Sequence, residues 1–315
     1  QSAFTGYSIV FGNSGVINNQ GIELSLQSRN VQTTDFSWST QLTFARNKGK
    51  VVSLHTEDPL IYASDIITGV SPQFFDPAYL GLVEGHQPFS LFAYRYAGLD
   101  SQGDPTIRLA DGSITKEPSA ARVGDLVNMG STVPLIRGGL SNFLRYRQFG
   151  LDVNLVYSFD FVLRRDVNTF YTGRVTATNY STGNLHTDFL DRWQQPGDEA
   201  STDIPAYDPA ADRASRTALN YYTAADINVV KGDYVKLRDI TLTYDLPTAV
   251  LRLAKVKQLT LRAQLNNVML WKANRYGIDP EFYNGIGARG TDYVTGIHRI
   301  PYNQRSFTLG ARLTF

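Results

Sequence analysis

The sequence contains no cysteine. That excludes disulfides, thiolate metal sites and cysteine nucleophiles together. Methionine is nearly absent too, with 2 residues, and Gln1 is not one of them. No apolar signal segment follows Gln1, so the chain reads as processed or as a piece of something longer. An excess of either charge is missing: 30 Lys and Arg stand against 29 Asp and Glu, a net charge of +1. There is no electrostatic case for a nucleic-acid partner. No stretch approaches the 18 or more apolar residues of a membrane helix. A barrel strand crosses a membrane in about ten alternating residues, so that absence leaves a membrane barrel open.

Catalytic signals are equally thin. There is no Gly-x-Ser-x-Gly elbow and no phosphate loop. The four histidines, His55, His86, His186 and His298, fall in four separate apparent loops. His55/Glu57 and His186/Asp188 are spaced to touch a metal on a strand edge, but neither pair has a third ligand in register. "GLDSQGDPTIRLADG" is rich in Asp, lacks the spacing and closing Glu of a calcium hand, and reads as a turn. No enzyme, cofactor or metal is expected.

Aromatic residues and glycine are plentiful, with 18 Tyr, 17 Phe and 26 Gly, and the recurring period is two. In "DFSWSTQLTFAR" Phe36, Trp38, Thr40, Leu42 and Phe44 share one face. In "GLDVNLVYSFDFVL" the row is Leu151, Val153, Leu155, Tyr157, Phe159, Phe161 and Leu163, opposite Asp152, Asn154, Ser158 and Asp160, with Val156 and Val162. "GIELSLQ", "FSLFAYRYAG", "DPTIRLA", "PLIRGGLSNFLRYRQ", "KLRDITLTYDL", "QLTLRAQLNN" and the final "SFTLGARLTF" complete about nine strands. Many are longer than the 5 to 6 residues usual in globular proteins. A fully apolar row opposite a row of Thr, Asn, Gln, Asp and Arg suits a transmembrane barrel, with lipid on one face and a wet lumen on the other.

Connection lengths point the same way. Stretches of roughly 40, 70 and 30 residues alternate with short turns such as "QSRNVQTTD", "RQFG" and "LPTAVLRLAK". Long loops on one rim and short turns on the other mark an outer-membrane barrel. Within "LPTAVLRLAK", Pro247 predicts a helix start on the short-turn rim. An odd strand count that cannot close a barrel predicts that 1–315 is the C-terminal part of a larger one. Phe315, an aromatic end on an alternating strand, reads as an assembly signal.

At this point the residues resemble the SusC/RagA-type TonB-dependent transporters. The likeness rests on "VINNQGIELSLQSRNVQTTDFSWSTQLTFARNKGKVVSL", "EGHQPFSLFAYRYAGLDSQGDP", "VGDLVNMGSTVPLIRGGLSNFLRYRQFGLDVNL", "DRWQQPGDEASTDIPAY", "GDYVKLRDITLTYDLP" and "YGIDPEF", six pieces in family order. The resemblance implies an all-β, 22-stranded antiparallel barrel of the plugged-lumen class. It implies import of oligosaccharides or peptides across the bacterial outer membrane, with a SusD-like lipoprotein lid and energy from TonB–ExbB–ExbD. The plug, the TonB-contacting segment and the other strands would lie outside this chain.

Loop aromatics Phe74, Phe75, Tyr79, Tyr171, Trp193, Tyr222, Tyr276 and Tyr283 are candidates to face a ligand or the lid. The alternative for each is packing between loops. Trp38, Tyr94 and Trp271 read as interface girdle. Arg145, Arg147, Arg262 and Arg312 fall on the polar row and are expected to face the lumen, where plug carboxylates could pair with them. Lipid-facing, each would cost about 2–4 kcal/mol at midplane. Two other readings stay open: a passive porin or adhesin barrel, and a soluble β-rich carbohydrate-binding module or enzyme.

Overall fold

The computed structural model describes residues 15–54, 62–68, 82–117, 120–165, 167, 187–207, 221–254, 256–281 and 305–314. Two long strands come first, β1 (Gly15–Gln32) and β2 (Phe36–Leu54). A short helix α1 (Ala63–Thr68) follows, then β3 (Ser90–Ala93), β4 (Tyr96–Leu99), β5 (Pro105–Arg108), β6 (Ile114–Thr115) and β7 (Val127–Ser131). A tight hairpin comes next, β8 (Ile136–Tyr146) and β9 (Phe149–Phe159). Then come β10 (Val162–Arg164), α2 (Tyr221–Ala224), β11 (Val229–Lys231) and β12 (Tyr234–Asp245). The described chain closes with α3 (Thr248–Ala254), β13 (Gln258–Lys272) and β14 (Ser306–Thr314).

Seven long strands form one sheet in the order β1-β2-β8-β9-β12-β13-β14, every neighbour antiparallel. Their registers turn the period-two pattern into continuous faces. Leu26, Leu42, Leu140, Leu155, Leu237 and Val268 stand side by side on one face. On the other, Gln27, Gln41, Ser141, Asn154, Asp239, Asn266 and Ser306 run across all seven strands. The polar row is hydrogen-bonded across strands: Asn154 Nδ2 donates to Asp239 (3.0 Å), and Asn266 Nδ2 to Ser306 Oγ (3.0 Å). The apolar row is bare, with Ile22 at 69 % and Leu309 at 72 % exposure. A sheet-wide apolar surface of this extent needs a nonaqueous cover.

Two aromatic belts bound the apolar face. Phe36, Tyr146, Phe149 and Tyr244 are cross-strand neighbours at the end with short connections, and the Phe149 and Tyr244 rings lie 4.6 Å apart. Tyr157, Phe159 and Trp271 make the second belt, with centroid separations of 5.6 and 6.2 Å. Ten residues on a strand tilted as in a barrel rise about 25 Å, the height of an outer-membrane apolar band. Trp38 and Trp271 thus sit on the outer face near the belts, as the sequence predicts.

The short strands correct the expected count. "FSLFAYRYAG" contributes β3 and β4, and "DPTIRLA" contributes β5, but none joins the wall. Four residues span about 13 Å, too short to cross, and every residue of β3 is buried. With these segments set aside, the connections alternate strictly. Residues 33–35, 147–148 and 246–257 are short or carry only α3. Residues 55–135, 160–233 and 273–305 are long. Tyr94, expected in a girdle, is instead buried among the loops.

One glycine of "IRGGLSNF" has a steric reason. A Cβ on Gly138 would lie 2.1 Å from the Thr43 carbonyl oxygen and 2.4 Å from the Tyr157 hydroxyl. Tyr157 crosses that gap to donate to the Thr43 oxygen at 3.0 Å. The wall also makes an early prediction. Phe307→Arg, on the apolar row, should cost about 2–4 kcal/mol of barrel stability, whereas Arg312→Leu on the opposite row should not. Heat-shift electrophoresis of the inserted barrel measures both.

Candidate functional site

The described parts of the long connections pack into a layer of their own. Ala63, Ile66, Ile67, Phe92, Tyr94, Ile107, Ala121 and Leu126 from residues 55–135 close a core with Tyr221 and Ala224 from residues 160–233. The Tyr94 and Tyr221 rings meet edge-on at 4.8 Å. Burial pushes the Tyr94 hydroxyl up to about 12 despite Arg164 nearby. Tyr222 is 1 % exposed and likewise raised to about 12 by burial. It is therefore core to the layer and does not present itself to a ligand.

Two consecutive arginines tie this layer together. Arg164 is buried, and its Nη2 donates to the Phe92 carbonyl at 2.7 Å. Its desolvation draws the guanidinium down to about 10. Arg165 donates from Nε to Asn228 Oδ1 (3.0 Å) and from Nη1 to Asp188 Oδ2 (2.9 Å). Its guanidinium lies over the Tyr276 ring, 4.5 Å from the centroid. Arg165 thus joins β10, the turn before β11, the 3-10 turn Thr187–Asp191 and the start of residues 273–305. Asp188 of the "HTD" pair is committed to this contact.

A second anchor fixes residues 273–281 to the wall. Lys236 lies on the polar face of β12 with no side-chain exposure. Its Nζ contacts Asp279 Oδ2 at 2.9 Å and Glu281 Oε2 at 2.6 Å. Arg238 closes on the same Glu281. The Ile278 carbonyl accepts from Lys272 Nζ (3.1 Å) and Asn274 Nδ2 (3.2 Å). "GIDPE" is therefore a buried clamp. Burial pushes the Glu281 carboxyl up, but hydrogen bonds from Arg238 and Lys236 outweigh it and hold it below the usual glutamate range. A carboxyl with a depressed folded pKa stabilises above its unfolded value and loses that contribution as pH falls through the folded one. Protease cleavage within residues 273–305 should therefore stay constant at neutral pH and rise only below the ordinary glutamate pKa. Glu281→Gln should flatten that rise.

The "DRWQQPGDEASTDIPAY" loop is self-bracing. Trp193 Nε1 donates to Glu199 Oε2 at 2.9 Å, and the Gly197 amide donates to the same oxygen at 2.8 Å. A Cβ on Gly103, whose φ is +74°, would sit 2.6 Å from the Trp193 ring. Trp193 packs on the "GLDSQGDP" turn, where Asp100 and Asp104 share Lys116 at 2.7 and 3.0 Å. The Asp-rich stretch turns at Asp100–Asp104, and both of those acids are neutralised by Lys116.

Tyr276 remains half-exposed. Phe74, Phe75, Tyr79, Tyr171, Tyr283 and Phe315 lie outside the described residues. Arg145 stands on the polar face and pairs with Asp152 at 2.6 Å. Arg147 occupies the two-residue β8–β9 turn at φ +50° and pairs with Asp35 at 3.2 Å, so it belongs to the short-turn rim. Arg262 and Arg312 lie on the polar faces of β13 and β14, opposite Gly310 and Thr260. Between the polar face of β1, β2 and β8 and the layer lies a cavity of about 440 Å³, lined by Ile17, Pro88, Phe89, Val133, Leu135 and Arg137. The Gln87 Oε1 beside it has no hydrogen-bond partner among the described residues.

No family model matches the sequence. Relatives do. The chain is 28 % identical over 329 residues to TonB-dependent receptor P3 of Formosa agariphila, covering 99 % of this chain and 30 % of that protein. TonB-dependent receptors P26 and P39 of the same organism match at 27 and 24 %, again over 99 % of the chain. Along nearly its whole length, then, the chain is similar to TonB-dependent receptors. The solved RagAB peptide transporter superposes over 100 % of the chain with a TM-score of 0.62 and 18 % identity. The RagAB peptide importer in its closed-closed state gives 0.60 at the same identity. The chain spans about a third of the length of the curated relatives it matches (30 to 32 %). Its wall is that of an outer-membrane β-barrel.

Proposed function

We propose that this chain is the C-terminal wall and loop segment, residues 1–315, of an active outer-membrane importer of bulky nutrients, oligosaccharides or peptides. The plug, the TonB-contacting segment and the remaining strands belong to the rest of the receptor. A SusD-like lipoprotein closes over the long connections, and TonB–ExbB–ExbD supplies the energy. The role is transport, not catalysis. One observation carries this reading: the described parts of all three long connections are folded into a single cross-linked layer on one rim of the wall. That layer is a shaped surface for a lid and a cargo, which a passive pore does not need. Two RagAB peptide-importer structures sharing the fold support it. Arg262 and Arg312, without ion-pair partners among the described residues, stand ready for carboxylates of the plug.

The test is purification of the full receptor in mild detergent, with mass spectrometry of what accompanies it. A surface lipoprotein and a bound oligomer are expected. A receptor that runs alone, and supports equal nutrient uptake with and without TonB, would mean a passive barrel.

A further inference from the structure

The outward row of β2 changes character at one point. Phe36, Trp38, Thr40, Leu42 and Phe44 lie within the apolar band, and the next three positions of the same row are Arg46, Lys48 and Lys50. All three are exposed. None has an ion pair or side-chain hydrogen bond among the described residues. Arg46 is level with Ile136 and, through it, with Phe159 of the second aromatic belt. Lys48 and Lys50 then stand about 5 and 10 Å beyond that belt, at the rise of a tilted strand. Their cross-strand neighbours on β1 are the neutral Gln20 and Asn18. The outward rows of β1, β2 and β8 carry no carboxylate. Glu84, which approaches the end of β2, is engaged by the Leu54 amide at 2.6 Å.

We propose that Arg46, Lys48 and Lys50 form a binding stripe for the phosphate-bearing headgroups of the glycolipid in the outer leaflet. The occupant follows from continuity. Whatever covers the apolar band on β2 also meets the cations directly above it, and the band is covered by acyl chains. The headgroup of those chains lies at the height of Lys48. Long cationic side chains place their charge in that layer while their stems stay on apolar surface. The stripe depends on the orientation of the wall and holds whether or not the receptor imports nutrients.

The experiment uses the full receptor, wild type and R46Q/K48Q/K50Q, in phosphatidylcholine nanodiscs. The probes are lipid A carrying its phosphates and the same lipid A after phosphatase treatment. Bound lipid A per receptor is counted by mass spectrometry after re-extraction in neutral detergent. The wild type should retain about threefold or more phosphorylated lipid A than the variant, with the difference shrinking in salt. The dephosphorylated lipid should be retained equally and weakly by both. The K48Q/K50Q variant, altered only beyond the belt, should show a partial loss and guards against a folding effect of Arg46. Equal retention of phosphorylated lipid A by wild type and triple variant overturns the proposal. So does a receptor oligomer that dissociates in the variant while lipid retention stays unchanged, because it assigns the stripe to a protein contact.

Discussion

Lys236→Ala should release residues 273–281 from the wall. The substitution leaves Asp279 and Glu281 facing each other in a buried site that Lys236 now neutralises. Removing one partner of a buried ion pair costs about 3–5 kcal/mol, because the remaining charge stays desolvated and unpaired. Arg238 still holds Glu281, so the loss falls mainly on Asp279 and on the turn through Ile278. The measurement is limited proteolysis of the intact receptor in detergent. Cleavage inside residues 273–305 should rise by orders of magnitude while the barrel's heat-shift on electrophoresis is kept. Lys236→Met combined with Asp279→Asn and Glu281→Gln should recover much of the protection, since neutral groups at the same site carry a smaller desolvation penalty. Unchanged cleavage in Lys236→Ala would show that the clamp contributes nothing.

Arg165→Ala should loosen the layer from the inside. The guanidinium makes charge-assisted contacts to Asp188 and a hydrogen bond to Asn228, and it covers the Tyr276 ring. Bonds to charged groups contribute about 1.5–3 kcal/mol each, and a cation over an aromatic ring adds about 0.5–2 kcal/mol. Hydrogen exchange in Thr187–Asp191 and around Tyr276 should therefore quicken at least a hundredfold, while exchange in β8, β9 and β12 stays slow. Arg165→Lys should resemble Arg165→Ala, because an ammonium cannot fork between two partners and lie over a ring at once. Arg164 differs: its contacts are to carbonyls within the core, so its loss should expose Phe92 and Tyr94 in place of the Tyr276 side.

The wall was legible in the sequence because it follows one local rule. Alternation in "GLDVNLVYSF" and "QLTLRAQLNN" reports a face directly, and the registers keep that face across strands. Strand rank was harder. "SLFA" alternates no less acceptably than a wall strand, but β3 is buried on both sides by residues far away in sequence. The aromatics fared unevenly for the same reason. Trp38 and Trp271 follow from strand position. Tyr222 and Trp193 depend on contacts to Arg165, Glu199 and Gly103 that no short window contains. The clamp went unread because Lys236 in "YVKLRD" looks like any solvated lysine on a polar row. Its partners lie more than forty residues away.

The central claim is that one face of the seven-stranded wall meets lipid and the other meets water. The missing cysteine makes the decisive measurement simple, because a single introduced cysteine is the sole thiol in this stretch. Nitroxide labels at successive positions of β9, Phe149–Phe159, in the full receptor in a bilayer report collisions with oxygen and with a water-soluble nickel chelate. Oxygen contact should peak at Leu151, Val153, Leu155 and Tyr157 and fall at Asp152 and Asn154, with nickel contact lowest where oxygen is highest. Equal contact at odd and even positions, or the opposite phase, would contradict the account.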